Sequence, residues 1–194
     1  MTIIRMALVA LLASLLYGCA TPVLLAGAAG GGTMAAHDRR TAGSQIDDQV
    51  IEMKAFARMQ KDAALAKSEN AHINTVSYNG VLLLTGEART AELRRRAEEY
   101  VVNIPKVRKV HNEIRVAEPA KIGSRSRDSW ITTKVKTKLL ANKAIDGTRI
   151  KVVTESGTVY LMGLITRGEA NLATSIASET SGVKRIVRAF EYLD

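Results

Sequence analysis

The chain has 194 residues, of which 46% are hydrophobic and 24% are charged, and this balance excludes an intrinsically disordered protein. Its formal net charge of +9 favours an anionic partner, either nucleic acid, anionic lipid or an acidic protein surface, without choosing among them. The single cysteine excludes an internal disulfide.

The first 18 residues have the features of a secretory signal peptide. A weakly positive start is followed by an uncharged stretch from Met6 to Leu16, which is much shorter than the roughly 20 residues of a transmembrane helix. The next residues, Leu16-Tyr17-Gly18-Cys19, resemble the bacterial lipobox, and this resemblance implies that Cys19 is the lipid anchor. Ala20 is not the aspartate that commonly retains lipoproteins in the inner membrane, so the resemblance favours the outer membrane. The alternative is a buried structural cysteine in an N-terminal helix.

Residues 19–44 are predicted to comprise the lipidated cysteine and a flexible tether. This stretch is rich in alanine and glycine, and Pro22 and the run Gly30-Gly31-Gly32 disfavour a stable helix. We therefore expect the folded part of the chain to begin at residue 45.

An internal repeat fills the remainder of the chain. Residues 73–86 align with residues 150–163, and each copy is an apolar run, a two-residue turn and a second apolar run that ends in glycine. The turn pairs Asn79-Gly80 and Ser156-Gly157 predict a β-hairpin in each copy, because both residues of such a turn must tolerate positive φ.

Helical patterns precede and follow each hairpin. The first helix is predicted over Gln49–Lys67, with Met53, Phe56, Ala57 and Met59 at helical spacing, and the equivalent helix of the second copy over 128–140, with Asp128 as its N-cap. The helices after the hairpins are predicted from two apolar sets, Leu93, Ala97, Tyr100 and Ile104 in the first copy and Leu172, Ala173, Ile176 and Ala177 in the second. A final strand ends each copy, running to Val116 and to Leu193.

Each copy therefore reads α-β-β-α-β. We predict an α+β fold of two tandem modules, each with a three-stranded mixed sheet and two helices on one face, because that arrangement buries every apolar stripe. The predicted modules span residues 45–118 and 127–194, and residues 119–126 form a linker.

The order of elements resembles the BON domain, and two such domains behind a lipobox resemble the dual-BON outer-membrane lipoproteins of Gram-negative bacteria. The second copy carries the sharpest motifs, which are Ser129-Trp130-Ile131-Thr132-Thr133-Lys134-Val135-Lys136, Tyr160-Leu161-Met162-Gly163-Leu164 and Ser181-Gly182-Val183-Lys184-Arg185. The resemblance implies a periplasm-facing protein that binds anionic phospholipid through the first helix of the second module and supports envelope integrity. The first copy departs from the motif with Pro105-Lys106 and lacks a tryptophan, so no lipid contact is assigned to it.

The chemistry of that helix agrees with a membrane contact. Ile131, Val135 and Leu139 form the predicted core stripe, and Trp130 lies about 140° away at 100° per residue. An indole settles at headgroup depth, and neighbouring lysines can reach phosphate. The predicted lipid contacts are Trp130, Thr133, Lys134, Thr137 and Lys138. The alternative is that Trp130 packs against the other module or the linker.

The positive charge is unevenly distributed. Residues 44–118 carry 12 basic and 11 acidic side chains, whereas residues 124–194 carry 12 basic and 7 acidic ones. The excess of positive charge therefore lies in the second copy, which also contains the tryptophan. The run Arg94-Arg95-Arg96 lies among glutamates on a predicted helix, which is typical of a solvated, salt-bridged face.

The chain lacks the patterns of known catalytic and metal sites. His37, His72 and His111 do not pair with another histidine or cysteine at ligand spacing, and no nucleophile or phosphate-loop motif is present. We therefore predict no cofactor, no metal and no enzyme activity. The export signal and the 4% aromatic content also disfavour nucleic acid. The competing hypothesis is a module that binds an outer-membrane assembly factor or a cell-wall partner, with no direct lipid recognition.

Overall fold

The computed structural model describes residues 38–119 and 122–194. The predicted signal peptide at residues 1–18, the predicted anchor Cys19 and most of the predicted tether lie outside these residues. Within the described ranges, no helix is both long and apolar enough to cross a membrane.

The first module follows the predicted order of elements. Its helices are α1 (Ala42–Gln60) and α2 (Ala91–Val102), and its strands are β1 (Ala71–Tyr78), β2 (Val81–Ala88), β3 (Lys109–Asn112) and β4 (Arg115–Val116). Strand β1 pairs with β2 in antiparallel fashion, and β3 and β4 pair with β2 in parallel. The third strand was predicted as continuous, but it is interrupted where the backbone N–H of Ile114 donates to the Asn112 side chain at 3.3 Å.

The second module repeats this architecture with an unbroken third strand. It contains helices α3 (Ile122–Ala141) and α4 (Arg167–Ser178), a 3₁₀ turn (Gly147–Arg149), and strands β5 (Lys151–Glu155), β6 (Thr158–Ile165) and β7 (Arg185–Tyr192). Strand β6 lies at the centre, antiparallel to β5 and parallel to β7. The predicted α+β fold of two α-β-β-α-β modules with mixed sheets is confirmed.

Both hairpin turns have the predicted conformation. Asn79 and Gly80 have φ of 52° and 77°, and Ser156 and Gly157 have φ of 51° and 80°. Two successive residues with positive φ form the two-residue turn whose twist matches the flanking strands.

Each module has its own core between the sheet and its two helices. In the first module the core includes Ile51, Ala55 and Met59 of α1, Leu82 and Leu84 of β2, and Leu93, Ala97 and Val101 of α2. In the second it includes Ile131, Val135 and Leu139 of α3, Val159 and Leu161 of β6, and Ala173 and Ala177 of α4. Both helices of each module therefore lie on one face of their sheet, as predicted.

The opposite faces of the two sheets pack against each other. This third cluster is formed by Tyr78, Val81 and Leu83 from the first module and Tyr160, Met162 and Ala189 from the second. Strands β2 and β6 are consequently buried on both faces, which explains why their sequences are almost continuously apolar.

The first helix begins and ends seven residues earlier than predicted. The Thr41 side chain caps it by accepting a hydrogen bond from the Ser44 backbone N–H at 3.1 Å, a signal that the alanine- and glycine-rich context obscured. Residues 41–44, which were assigned to the tether, therefore belong to the folded module. The apolar face also differs from expectation, because Met53 and Phe56 are 64% and 58% exposed.

The boundary between the modules also needs correction. Helix α3 begins at Ile122, inside the predicted linker at residues 119–126, so Asp128 is not its N-cap. Asp128 is instead buried, and its carboxylate accepts hydrogen bonds from the Ser156 and Gly157 backbone N–H groups at 2.7 and 2.8 Å. The side chain thus ties the helix to the hairpin turn.

Residues 38–40, also assigned to the tether, join the two modules. Arg39 forms two hydrogen bonds with the Glu169 carboxylate at 2.8 and 3.0 Å in the second module. Arg40 pairs with Asp48 at 2.9 Å and stacks 3.9 Å from the Tyr78 ring centroid in the first.

The Arg39–Glu169 pair predicts an acid-sensitive contribution to stability. Burial opposes ionisation of Glu169, but hydrogen bonds from Arg39 and Thr166 outweigh it and lower its pKa to about 2 from an ordinary 4.5. Because the folded pKa is depressed, this contribution is present above pH 4.5 and is lost as the pH falls towards 2. We expect Glu169→Gln to lower the free energy of unfolding at pH 7, with a difference from the parent that shrinks by pH 2.5.

Urea unfolding at pH 7, 4 and 2.5 measures this difference. Glu179→Gln is the matched control, because Glu179 caps the other end of the same helix and faces solvent. An equal Glu169→Gln deficit at pH 7 and pH 2.5 would contradict the assignment.

Candidate functional site

Helix α3 presents one face to the core and the opposite face to solvent. Ile131, Val135 and Leu139 are at most 1% exposed, and their spacing of four residues places them on one stripe. The Thr132 hydroxyl bonds the Thr154 hydroxyl of β5 at 2.8 Å beside that stripe. These contacts fix the rotation of the helix, and hence which side chains face outwards.

Trp130 lies on the solvent face, with 64% of its surface exposed. The alternative that it packs against the other module or the linker therefore receives no support from its surroundings. Thr133 and Thr137 are also exposed on this face, and the Thr133 hydroxyl donates to the Ser129 carbonyl at 3.0 Å. The Thr133 hydroxyl therefore has its hydrogen-bond partner within the helix.

Leu140 is a further apolar residue of this face that the sequence reasoning missed. It is 61% exposed and lies about 80° around the helix and about 15 Å along it from Trp130. Its exposure could have been predicted from the sequence, because on a helical wheel Leu140 falls outside the buried stripe of Ile131, Val135 and Leu139. The exposed surface therefore has an apolar residue near each end.

The two predicted lysines flank this surface but are not free in solution. Lys134 donates to the Ser181 carbonyl, and Lys138 donates to the Glu179 carbonyl at 2.9 Å. These carbonyls follow the C-terminus of α4, where the helix dipole attracts cations. Each ammonium group has three donors, so one such bond leaves others for a phosphate. The structure therefore brings all five predicted contacts to one side of the module, with the lysines held in place by α4.

The loop before β7 approaches α3 closely at Gly182. This glycine has φ of 99°, and a Cβ there would lie 3.0 Å from the Ile131 side chain. At the equivalent position of the first module, Lys106 adopts φ of 72°. The departure of Pro105-Lys106 from the motif therefore preserves the left-handed backbone without the glycine.

The repeat and its geometry agree with a comparison to protein families, in which the model of the BON domain matches residues 47–118 and 127–194. The chain belongs to the BON-domain family. Since the two matches cover most of the chain, each module described above is one BON domain.

Three relatives are similar to this chain over most of its length. Outer membrane lipoprotein DolP of Haemophilus influenzae is 39% identical over 92% of this chain and 91% of its own length. The 21 kDa hemolysin of Actinobacillus pleuropneumoniae is 40% identical over 80% and 79%, and osmotically-inducible protein Y of Escherichia coli is 28% identical over 74% and 72%. The chain is accordingly a dual BON-domain lipoprotein of the outer membrane, associated with the cell envelope.

The arginine run of the first BON domain is largely occupied by acidic partners. Arg95 bridges Glu92 and Glu99 on the surface of α2, and Arg96 pairs with the buried Asp62. The predicted salt-bridged face is confirmed, with the addition that Arg96 reaches into the fold. This run is therefore not a second cationic site.

The two histidines within the described ranges lie in strands and have lowered pKa values. Burial is the largest cause in each case, assisted by Arg125 near His72 and by Lys109 near His111. Burial therefore disfavours the charged form of both histidines. Among the residues that the structure describes, no cluster of three histidine, cysteine or carboxylate side chains could hold a metal ion.

Proposed function

We propose that this lipoprotein is anchored through Cys19, faces the periplasm and binds anionic phospholipid through helix α3 of the second BON domain, thereby supporting envelope integrity. The supporting observation is the exposed Trp130, which lies opposite the core stripe of a rigidly packed helix. An indole on a fixed helix can enter the headgroup region without any rearrangement of the fold.

The charges around Trp130 favour an anionic rather than a neutral membrane. Arg127, Lys134 and Lys138 lie within about 80° of Trp130 on one side of the helix, and Lys136 lies on the other. Each basic residue near an anionic surface contributes about 1 kcal/mol, and this attraction falls with salt. The helix alone therefore gives a weak, reversible contact, which the lipid anchor makes effective by holding the domain near a membrane.

The role is one of binding and not of catalysis. The relative DolP is an outer membrane lipoprotein. Lys134 and Lys138 of α3 donate to backbone carbonyls and do not form an acid–base pair. The competing function is a protein-interaction module for an outer-membrane assembly or cell-wall partner. Nucleic acid is not proposed as a partner, because the chain is exported.

Sedimentation with lipid vesicles tests the proposal. The mature chain with Cys19 replaced is mixed with neutral vesicles or with vesicles rich in anionic phosphatidylglycerol, each at low and high salt. We expect the parent to pellet only with the anionic vesicles and mainly at low salt. Trp130→Glu is expected to stay in the supernatant, because it replaces the inserted ring with a charge that the bilayer repels.

A matched control is Val102→Glu, which places the same charge on an exposed apolar residue of α2 in the first BON domain. It is expected to pellet like the parent, and circular dichroism establishes that both variants are folded. If the parent pellets with neither vesicle, or if Trp130→Glu pellets as well as Val102→Glu does, α3 is not a lipid site.

A further inference from the structure

The two sheets have four edges, and three of them carry features that discourage pairing with another chain. The third strand of the first BON domain is interrupted and carries Lys109 and Arg115. Strand β7 carries Arg185, Arg188 and Glu191, and β5 begins with Lys151 and ends with Glu155. Charged side chains and irregularities are the usual protection of an exposed edge.

Strand β1 is the exception. It is eight residues long, runs Ala-His-Ile-Asn-Thr-Val-Ser-Tyr, and contains no lysine, arginine, acidic residue or proline. It pairs with β2 on one side only, so its other side is an edge. This edge lacks the protection of the other three.

The edge of β1 is covered at one end and open along the rest. At Ser77, the backbone N–H donates to Glu52 at 2.7 Å, and the carbonyl accepts from Lys151 at 3.2 Å. In an antiparallel pair, alternate residues direct both backbone groups to the same side, so Thr75 and Ile73 face the same edge as Ser77. Within the described part of the chain, no side chain or strand bonds these groups of Thr75 and Ile73 across the edge.

A groove runs along this open edge. Its first part has a volume of about 580 Å³ and is lined by residues 71–76 of β1, by Phe56 and Met59 of α1, and by Leu65. The second part, of about 550 Å³, shares His72 and Asn74 and is bounded by Thr132 and Thr133 of α3. Residues 153–155 of β5 line both parts, so the edge of β1 lies in a trench between α1, α3 and β5. Six residues of strand span about 20 Å.

The lining of the trench specifies the chemistry of an occupant. Phe56, Met59 and Leu65 form an apolar wall, and Phe56 is 58% exposed although it is aromatic. The Glu155 carboxylate at the floor already accepts a hydrogen bond from Asn74 at 2.9 Å. Asp128 and Arg125, the other charged residues of the lining, also have partners within the fold. The trench thus offers unpaired backbone groups and apolar surface, without an unpartnered charged side chain.

We propose that the open edge of β1 binds an extended, uncharged segment of a partner protein by strand addition. The backbone of the segment pairs with Ile73 and Thr75. Alternate apolar side chains contact Phe56, beside the nearly buried Met59 and Leu65. A second copy of this chain does not fit, because its own β1 edge lies at the floor of an identical trench. The inference does not rest on lipid binding, because Ile73, Thr75 and the three wall residues lie in the first BON domain. Thr133, which borders the second part of the trench, also belongs to the proposed lipid surface.

Fluorescence anisotropy with a labelled peptide tests the proposal on the mature chain with Cys19 replaced. The probe is a lysine-flanked peptide of three alternating threonine-valine pairs. Its control carries N-methyl groups on every threonine and valine, which block backbone pairing along both edges of the peptide. We expect binding of the probe only. Thr75→Pro removes the outward N–H and is expected to weaken binding by about tenfold or more, whereas Thr75→Val keeps it and binds like the parent.

Hydrogen exchange provides a second readout that folding defects would not mimic. The Thr75 and Ile73 amides are expected to exchange rapidly in the free protein and slowly with saturating peptide. Equal binding of the N-methylated control, no binding by the folded parent, or a dimer of the parent that Thr75→Pro dissociates would each overturn the proposal. Vesicle binding by Thr75→Pro is expected to be unchanged, which separates this result from the lipid function.

Discussion

Gly86→Ala is expected to lower the free energy of unfolding by at least about 4 kcal/mol and to leave the first BON domain largely unfolded. Gly86 lies in β2 opposite Ile73, with φ of 108°, a conformation that L side chains rarely adopt. A Cβ at this position would lie 2.0 Å from the His72 carbonyl oxygen of the adjacent strand. Because the obstacle is backbone, no rotamer change can relieve the clash.

Urea unfolding followed by circular dichroism measures this effect, and Gly43→Ala is the matched control. Gly43 lies in the first turn of α1, where a Cβ would meet only the Thr41 hydroxyl at 3.7 Å. Alanine is the better helix former there, so the control is expected to be neutral or slightly stabilising. If the two variants unfold at the same urea concentration, the constraint at Gly86 is not real.

Asp128→Asn is expected to destabilise the second BON domain by about 2–4 kcal/mol. The carboxylate accepts two backbone hydrogen bonds from the hairpin turn, and both are charge-assisted. An amide has one oxygen, so its NH₂ group would oppose the second N–H and leave a buried donor unpaired. The result is a weaker connection between the turn and α3.

Glu118→Gln is the matched control for this substitution. Its side chain is 86% exposed and lies 3.7 Å from Arg89, so the same change of charge is expected to cost less than about 0.5 kcal/mol. Urea unfolding at pH 7 measures both variants. An Asp128→Asn variant as stable as Glu118→Gln would show that the turn does not depend on the carboxylate.

The same arrangement occurs in the first BON domain, where the Asp48 carboxylate accepts hydrogen bonds from the backbone N–H groups of Asn79 and Gly80 at 2.7 and 2.8 Å. In each domain, a carboxylate on the first helix therefore satisfies the two N–H groups of the hairpin turn. This linkage holds the helix across the sheet, so the exposed face of α3 is a rigid platform. A rigid platform loses little conformational freedom when it meets a membrane.

The local features of the fold could be predicted from the sequence because they depend on short-range physics. Positive φ at Asn79-Gly80 and Ser156-Gly157 requires residues of those types, and the spacing of Ile131, Val135 and Leu139 fixes one helical stripe. The same stripe places Trp130 outwards, so its exposure also followed from the pattern. Because the two modules are repeats of one another, an assignment made in one module also predicted the equivalent feature in the other.

The predictions from sequence that were wrong concern residues with two plausible partners in the fold. Asp128 has the chemistry of an N-cap, and only the position of the β5–β6 turn shows that its carboxylate is used there. Met53 and Phe56 are apolar at helical spacing, yet the sheet contacts Ile51, Ala55 and Met59 instead. A helical wheel gives the possible faces, but it does not give the face that another element covers.

The sequence by itself determined two α-β-β-α-β modules, their hairpin turns and the outward tryptophan, because hydrophobic spacing and backbone conformation are local properties. Only the tertiary structure decided that the two sheets pack face to face, that Lys134 and Lys138 are held by the end of α4, and that the β1 edge stays open beside Phe56. These features depend on contacts between residues far apart in the chain, and no local pattern specifies which distant surfaces meet.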